Sequence, residues 1–216
     1  MGCGKGHFLS VAESRGWESV GLEVSHSALE ALGQLKREKG LRFSVIESPL
    51  TEASLPGESF DVVTLFEVIE HLEDPVSTLR EVHRLLKREG ILYLTTPNVK
   101  SLSGVLLGDR WRVIAEEHRI LLNPRALSLR LRELGFRPIR VTTKNLDVAE
   151  ILAYWGGANP EIHPTLPDSS SQRLRRGIEG NGLLQQAKAG VNHLLRLSQA
   201  GDTVEVLAMK REGNTA

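Results

Sequence analysis

Two acidic residues and a histidine lie close together in the chain, as Glu67, Glu70 and His71. In a helical turn, the i, i+3 and i+4 spacing places all three side chains on one side. Two carboxylates and an imidazole can hold Mg²⁺ or a transition-metal ion, and Glu70 or His71 can also serve as a general base. The alternative is that Glu70 and His71 only cap and orient the following helix.

A second candidate base is His118, which follows Glu116 and Glu117. Histidine is suited to proton transfer because its unperturbed pKa of about 6.5 lies near neutral pH. The candidate catalytic residues are therefore His71, Glu70 and His118. We interpret the remaining histidines as structural or surface residues, namely His7, His26, His83, His163 and His193.

The chain opens on a glycine-rich stretch, Gly2-Cys3-Gly4-Lys5-Gly6, directly before a helical pattern. Glycines let the backbone approach a ligand closely and present N–H groups at a helix N-terminus. The spacing differs from the Gly-x-Gly-x-x-Gly of dinucleotide-binding proteins because position 7 is histidine, and no Gly-Lys-Ser/Thr follows as in a P-loop. By itself, a glycine-rich turn can also be purely structural.

Glu23 ends a predicted strand after the glycine-rich stretch. An acidic side chain at this point can accept hydrogen bonds from both hydroxyls of a ribose. The alternative is that Glu23 stabilises the dipole at the start of the next helix.

The elements that position these residues alternate along the first two-thirds of the chain. Short apolar runs predict strands over 20–24, 41–46, 60–66, 91–96, 136–143 and 203–210. Cap residues and glycines predict helices from Ser25 or Ser27 to Gly40, from Asp74-Pro75 to Gly90, and from Asn123-Pro124 to Gly135. This alternation indicates a doubly wound α/β fold with a mostly parallel sheet, whose ligands bind at the carboxyl ends of the strands.

Residues 145–199 break this rhythm with two helical patterns around a stretch rich in Gly, Pro and Ser. We therefore predict a cofactor-binding domain over 1–144 plus 200–211, with 145–199 inserted as a helical cap over the site. A helical appendage that only enlarges the core is the alternative. Three aromatic residues could wall an apolar substrate pocket or lie in the core, namely Trp111, Tyr154 and Trp155.

The ordered series of motifs resembles the class I S-adenosylmethionine-dependent methyltransferases. More closely, it is similar to the branch that contains the ubiquinone-biosynthesis O-methyltransferases. The matching segments are Phe60-Asp61-Val62-Val63, Val68-Ile69-Glu70-His71-Leu72-Glu73-Asp74-Pro75, Thr96-Pro97-Asn98, His118 before Asn123-Pro124, and Gly135-Phe136. The order of these segments is more specific than any one of them.

The resemblance implies a Rossmann-like sheet of seven strands, with the last strand antiparallel, and S-adenosylmethionine as cofactor. The cofactor-binding residues that it implies are Gly2, Gly4 and Gly6 for the methionine part, Glu23 for the ribose, Glu47 or Ser48 for the adenine, and backbone from Thr64 to Phe66 for the methionine side. Some relatives in this branch use a divalent cation, which favours Mg²⁺ at Glu67, Glu70 and His71. The family's first strand precedes the glycine loop, and since Met1 directly precedes Gly2, we expect a truncated first strand.

Composition narrows the function classes. Lys plus Arg and Asp plus Glu are 27 each, which argues against broad nucleic-acid binding. The single cysteine excludes an internal disulfide framework and, with no apolar run of about 18 residues, favours the cytoplasm. The apolar side of a helix around 183–197 could contact a membrane surface, although docking on its own domain is favoured.

Three function classes remain. The leading hypothesis is an S-adenosylmethionine-dependent methyltransferase acting on a small molecule, at oxygen. A non-catalytic relative that binds a partner through the cap is the second. A nucleotide-linked oxidoreductase is the third, and the glycine spacing disfavours it.

Overall fold

The protein is described by a computed structural model. The described residues are 1–111, 113–114, 118–146, 151, 190 and 194–211. The helices are α1 His7–Ser14, α2 His26–Lys39, α3 Pro75–Leu85, α4 Leu102–Leu107 and α5 Pro124–Glu133. The strands are β1 Val20–Glu23, β2 Ser44–Glu47, β3 Phe60–Phe66, β4 Leu86–Pro97, β5 Phe136–Lys144 and β6 Thr203–Lys210. Single 3₁₀ turns span Leu50–Glu52, Ile69–His71 and Gly108–Arg110.

The strands form two neighbouring sheets. β1 and β2 pair in parallel, and the second sheet has the order β3-β4-β6-β5. β3 and β4 are parallel, whereas β6 lies between β4 and β5 and is antiparallel to both. The predicted fold class, an α/β sheet with an antiparallel last strand, is therefore confirmed.

The first residues of the chain lie between the two sheets. The Met1 amino group donates to the Thr64 carbonyl in β3 at 3.0 Å, and the Cys3 amide donates to the Leu22 carbonyl in β1 at 3.0 Å. This short segment therefore lies between β1 and β3. A groove of about 970 Å³ between Val20 and Phe60 continues the same gap.

Three predicted helix starts are confirmed by their capping bonds. The side chains of Ser25, Asp74 and Asn123 each accept a backbone N–H from the first turn of α2, α3 and α5, at 3.4, 2.9 and 3.0 Å respectively. Such bonds satisfy amides that have no partner inside the helix. The predicted ends at Gly40 and Gly135 also hold, and both glycines have positive φ, 64° and 87°.

The predicted end of α3 at Gly90 is wrong. The helix stops at Leu85, and Leu86 already belongs to β4, where it is fully buried and pairs with Phe60. Burial and pairing of Leu86 outweigh the helical spacing around it. Glu89, with φ 59°, forms an irregularity inside the strand that the sequence pattern did not predict.

In the main core, α3 and α5 pack on the sheet that contains β3 and β4. This core joins buried leucines and valines of β3, β4 and β6 with those of α3 and α5, among them Leu65, Leu79, Val82, Leu94, Leu127 and Val206. A smaller cluster contains Trp111 with Leu107 and Ile151, so Trp111 is a core residue. The core thereby fixes the point at which β3 and β4 end.

Most of the predicted 145–199 insertion lies outside the described residues, as do Tyr154, Trp155, His163 and His193. The domain division accordingly stays a prediction. Within the part of the chain that the structure describes, no helix combines the length and the apolarity needed to cross a membrane.

Candidate functional site

The chain leaves the sheet at the end of β3 through a sharp bend. Glu67 has φ 52°, in the left-handed region, and its amide donates to the Thr95 carbonyl at 3.1 Å. Only afterwards does the short turn Ile69–His71 form. Glu67 therefore lies outside the turn that contains Glu70 and His71, and the three residues do not share one helical turn as expected.

Glu70 is a buried carboxylate, with only 1% of its surface exposed. Its Oε2 accepts a hydrogen bond from the Thr96 hydroxyl at 3.0 Å, and its Oε1 has no hydrogen-bond partner among the described residues. Its backbone carbonyl accepts the Arg119 amide at 2.8 Å, which ties the chain next to His118 to this turn. Burial raises the pKa of Glu70 above its ordinary value, and Glu67 adds to that rise.

His118 lies directly against His71, with ring centroids 4.7 Å apart. The Nδ1 atom of His118 is 2.7 Å from the Val113 carbonyl, which can only accept, so Nδ1 donates. Its Nε2 therefore keeps a lone pair for a proton or a metal ion.

Glu70, His71 and His118 form one cluster, here called the EHH cluster. Each offers one ligand atom, and these atoms lie within 4.8 Å of one another. The expected convergence of Glu67 with Glu70 and His71 is wrong, because the bend at Glu67 leaves that side chain exposed and outside the cluster. His118 takes its place, whereas Glu116 and Glu117 fall beyond the described residues.

Glu70 should make the free energy of unfolding depend on pH, in a direction that its raised pKa determines. Because its folded-state pKa is raised, its contribution to stability is present below the unfolded-state pKa and is lost as the pH rises through the folded-state pKa. We expect Glu70→Gln, measured with chelator, to gain stability relative to the wild type over the pH range that begins at the ordinary glutamate pKa of about 4.3 and extends upward. Denaturant unfolding across that range tests this, with the exposed Glu73→Gln as control. A stability difference independent of pH would contradict it.

The three glycines of the loop have different surroundings. All three have positive φ: Gly2 62°, Gly4 51° and Gly6 78°. A Cβ on Gly2 would collide with the Val68 side chain, and one on Gly6 would lie 3.1 Å from Leu32. A Cβ on Gly4 would meet nothing within 4 Å, so Gly4 is the glycine beside open space.

Glu23 connects this loop with the start of α2. Its Oε2 accepts the Gly4 amide at 2.7 Å, and its Oε1 accepts the amides of Val24 and Ser25 at 2.9 Å each. The bonds to Val24 and Ser25 fit the helix-start alternative, and the bond to Gly4 places the carboxylate at the loop. Contact with a ribose stays a prediction.

The other predicted cofactor residues lie at the same edge. Glu47 ends β2 directly opposite Glu23 and is exposed. Thr64 and Phe66 belong to the last part of β3, and the Phe66 ring packs edge-to-face on Phe8, with centroids 5.0 Å apart. The carboxyl ends of β1, β2 and β3 thus carry these predicted residues.

Removing the Glu23 carboxylate should weaken cofactor binding more than it weakens the fold. We expect Glu23→Ala to lower the binding free energy of S-adenosylhomocysteine by about 1–3 kcal/mol, the scale of charged hydrogen bonds. Loss of an acceptor for three backbone amides should lower the free energy of unfolding by less. Calorimetry and thermal unfolding measure the two quantities, with the exposed Glu30→Ala on α2 as control. Normal binding by a destabilised Glu23→Ala protein would support the helix-start role alone.

Two contributions to the site were not identified from the sequence. Thr96 binds Glu70, and the Val113 carbonyl orients His118. The Thr96-Pro97-Asn98 motif belongs to the family resemblance but does not by itself indicate a contact with Glu70, and a backbone carbonyl leaves no signal in a sequence. The sequence signal for Thr96 is its place at the carboxyl end of the predicted strand 91–96, the edge of the sheet at which ligands bind.

Curated relatives match about half of the chain. The ubiquinone biosynthesis O-methyltransferase of Methylococcus capsulatus is 32% identical over 127 residues, which is 58% of this chain and 51% of that protein. The enzyme of the same name from Pseudomonas paraeruginosa is 34% identical over 100 residues, 45% of this chain and 43% of that protein. The chain therefore spans about half the length of these relatives.

Solved structures share the fold at lower identity. A SAM-dependent methyltransferase from Archaeoglobus fulgidus has a TM-score of 0.62 and 20% identity, covering 97% of this chain and 83% of its own. The [4+2]-cyclase SpnF has a TM-score of 0.61 and 24% identity, covering 98% of this chain and 73% of its own. These likenesses concern the fold, and the second shows that the fold alone does not fix the reaction.

The family comparison covers the glycine loop, the EHH cluster, β1 to β4 and most of β5. Residues 1–141 match the family described as Methyltransferase domain, well over half of the chain. The chain belongs to this methyltransferase domain family.

Proposed function

We propose that this protein transfers the methyl group of S-adenosylmethionine to a hydroxyl oxygen of a small molecule. The EHH cluster at the carboxyl end of β3 is the observation that carries the proposal. Gly2 of the glycine loop lies against Val68, two residues before Glu70, so the loop and the cluster are neighbours. The similarity to ubiquinone biosynthesis O-methyltransferases supports oxygen as the acceptor atom.

The glycine loop fits the methionine part of the cofactor. Gly4 faces open space that a side chain would fill, and its amide is already held by Glu23. Three backbone amides already occupy the Glu23 carboxylate, which leaves about one lone pair, on Oε2, to accept a ribose hydroxyl. Phe66 and the backbone of β3 up to it would line the methionine side.

Methyl transfer depends first on the alignment of the acceptor oxygen with the methyl group of the cofactor. The leaving group is a neutral thioether, so the protein mainly has to bring the acceptor oxygen in line with the methyl group. The acceptor hydroxyl must also lose its proton. When no cation is bound to the EHH cluster, His118 Nε2 can take that proton, because Nδ1 is held as a donor by the Val113 carbonyl.

The EHH cluster also fits a divalent cation. Glu70 Oε1 is buried without a hydrogen-bond partner among the described residues. Because an unpaired buried carboxylate oxygen is unfavourable, a bound cation would stabilise it. One carboxylate with two imidazoles favours Mn²⁺, Fe²⁺ or Zn²⁺ over Mg²⁺, which prefers oxygen ligands. A cation bound there would lower the pKa of a coordinated hydroxyl. This revises the expected Mg²⁺ site in both its ligands and its metal.

The balanced charge also supports a small molecule over a nucleic acid as the methyl acceptor, because nucleic-acid binding draws on basic side chains that neutralise backbone phosphates. The single cysteine supports the cytoplasm as the proposed location.

Calorimetry with S-adenosylhomocysteine, followed by methyl transfer to a catechol, tests the proposal. We expect S-adenosylhomocysteine to bind in the micromolar range. The labelled methyl group of S-adenosylmethionine should appear as a methyl ether on a catechol oxygen. A chelator should lower the rate of methyl transfer, and Mn²⁺ should restore it. Binding without transfer to any phenol would favour a non-catalytic relative. Binding of NADH in place of S-adenosylhomocysteine would favour the oxidoreductase hypothesis and contradict the proposal.

A further inference from the structure

Thr96 is the side chain that joins the end of β4 to the EHH cluster. It is fully buried, and its hydroxyl donates to Glu70 Oε2 at 3.0 Å. We propose that Thr96 is a positioning residue that sets the orientation of the Glu70 carboxylate, and this inference rests on the proposed function. It acts through Glu70 and does not touch the reacting atoms.

The rigidity of its strand makes Thr96 suitable for this role. The end of β4 is flanked by β3 on one side and by β6 on the other, where Thr96 pairs with Val204. The residues on both sides of it are anchored as well, because the Thr95 carbonyl accepts the Glu67 amide at 3.1 Å and the Asn98 amide donates to the Asp202 carbonyl at 2.7 Å. A hydroxyl on such a strand is held in a fixed place relative to the site.

The backbone of Glu70 is held by the Arg119 amide, but its carboxylate has a single side-chain hydrogen-bond partner among the described residues. Glu70 lies in a single 3₁₀ turn after the bend at Glu67, and Thr96 is the side chain among the described residues that hydrogen-bonds its carboxylate. With Oε2 held, Oε1 is the oxygen that remains for a cation or a substrate hydroxyl in the EHH cluster. Without the Thr96 hydroxyl, Oε2 loses its side-chain hydrogen bond, and the carboxylate is no longer tied to the end of β4.

A comparison of Thr96→Val, Thr96→Ser and Thr143→Val tests this. Thr143 is an equally buried threonine whose hydroxyl donates to the Leu195 carbonyl at 2.8 Å, so it controls for the loss of a buried hydroxyl elsewhere. The readouts are Mn²⁺ affinity from the electron paramagnetic resonance of free Mn²⁺, kcat and KM for methyl transfer, and S-adenosylhomocysteine affinity.

We expect Thr96→Val to weaken Mn²⁺ binding and lower kcat by about 10- to 100-fold, the usual effect of removing a hydrogen bond to a metal ligand. Thr96→Ser should restore both values, Thr143→Val should leave them unchanged, and the affinity for S-adenosylhomocysteine should stay the same in all variants. If the wild type binds Mn²⁺ and transfers methyl groups but Thr96→Val does both equally well, the positioning role is overturned and the proposed function stands. If the wild type does neither, the proposed function fails and the inference with it.

Discussion

Gly4→Val is expected to abolish binding of S-adenosylhomocysteine while the protein stays folded. Gly4 has φ 51°, and a Cβ there would point into space without a protein atom within 4 Å. A valine would fill that space and would have to adopt a backbone conformation that costs about 1–2 kcal/mol. Together, these effects should lower the affinity at least about a hundredfold in calorimetry, the equivalent of about 3 kcal/mol.

The control for this variant is Gly16→Val. Gly16 also has positive φ, 79°, and its Cβ would also meet nothing within 4 Å, but it lies after the far end of α1. The same backbone strain should therefore lower thermal stability in both proteins, while only Gly4→Val loses the ligand. Equal loss of affinity in both variants would mean that strain transmitted through α1, and not the space at Gly4, controls binding. Unchanged affinity in Gly4→Val would remove the glycine loop from the proposed cofactor site.

The fold was largely accessible from the sequence because local signals and burial agree over most of it. Apolar runs such as 60–66 predict a strand from residue types alone, and its bounds are the observed ones, although Leu65 is the one fully buried residue of this strand. The same reasoning failed at Gly90, where the pairing of Leu86 with Phe60 decides the end of α3. That contact joins residues far apart in the chain, and no local pattern contains it.

The site was predicted in its members more than in its geometry. The sequence predicts Glu70, His71 and His118 as candidates, with His118 as a second base separate from the other two, whereas the structure joins all three in one cluster. The hydrogen bond from the Arg119 amide to the Glu70 carbonyl brings them together, and it is a backbone contact without a sequence signature. The predicted position of Glu67 is wrong because the prediction rests on helical spacing, whereas the positive φ of Glu67 bends the backbone away from a helix.

His118→Ala should lower kcat for methyl transfer by about 10²- to 10⁴-fold, the usual contribution of a positioned base. The variant removes the ring whose Nε2 is left available by the bond from Nδ1 to the Val113 carbonyl. The affinity for S-adenosylhomocysteine should change little, since the predicted cofactor residues lie on the glycine loop and at the ends of β1, β2 and β3. The exposed His26→Ala on α2 is the matched histidine control.

Chelation separates the two ways in which His118 can act. If His118 works as a ligand of a bound cation, chelator should lower the wild-type rate to that of His118→Ala and should not lower the variant further, because both changes remove the same interaction. If His118 works as a free base, chelator should leave the wild type unchanged, and added imidazole should partly restore the rate of the variant. Since Glu70 and His71 offer atoms within 4.8 Å of the His118 ligand atom, we expect the non-additive result. Full activity of His118→Ala in the presence of chelator would exclude both roles.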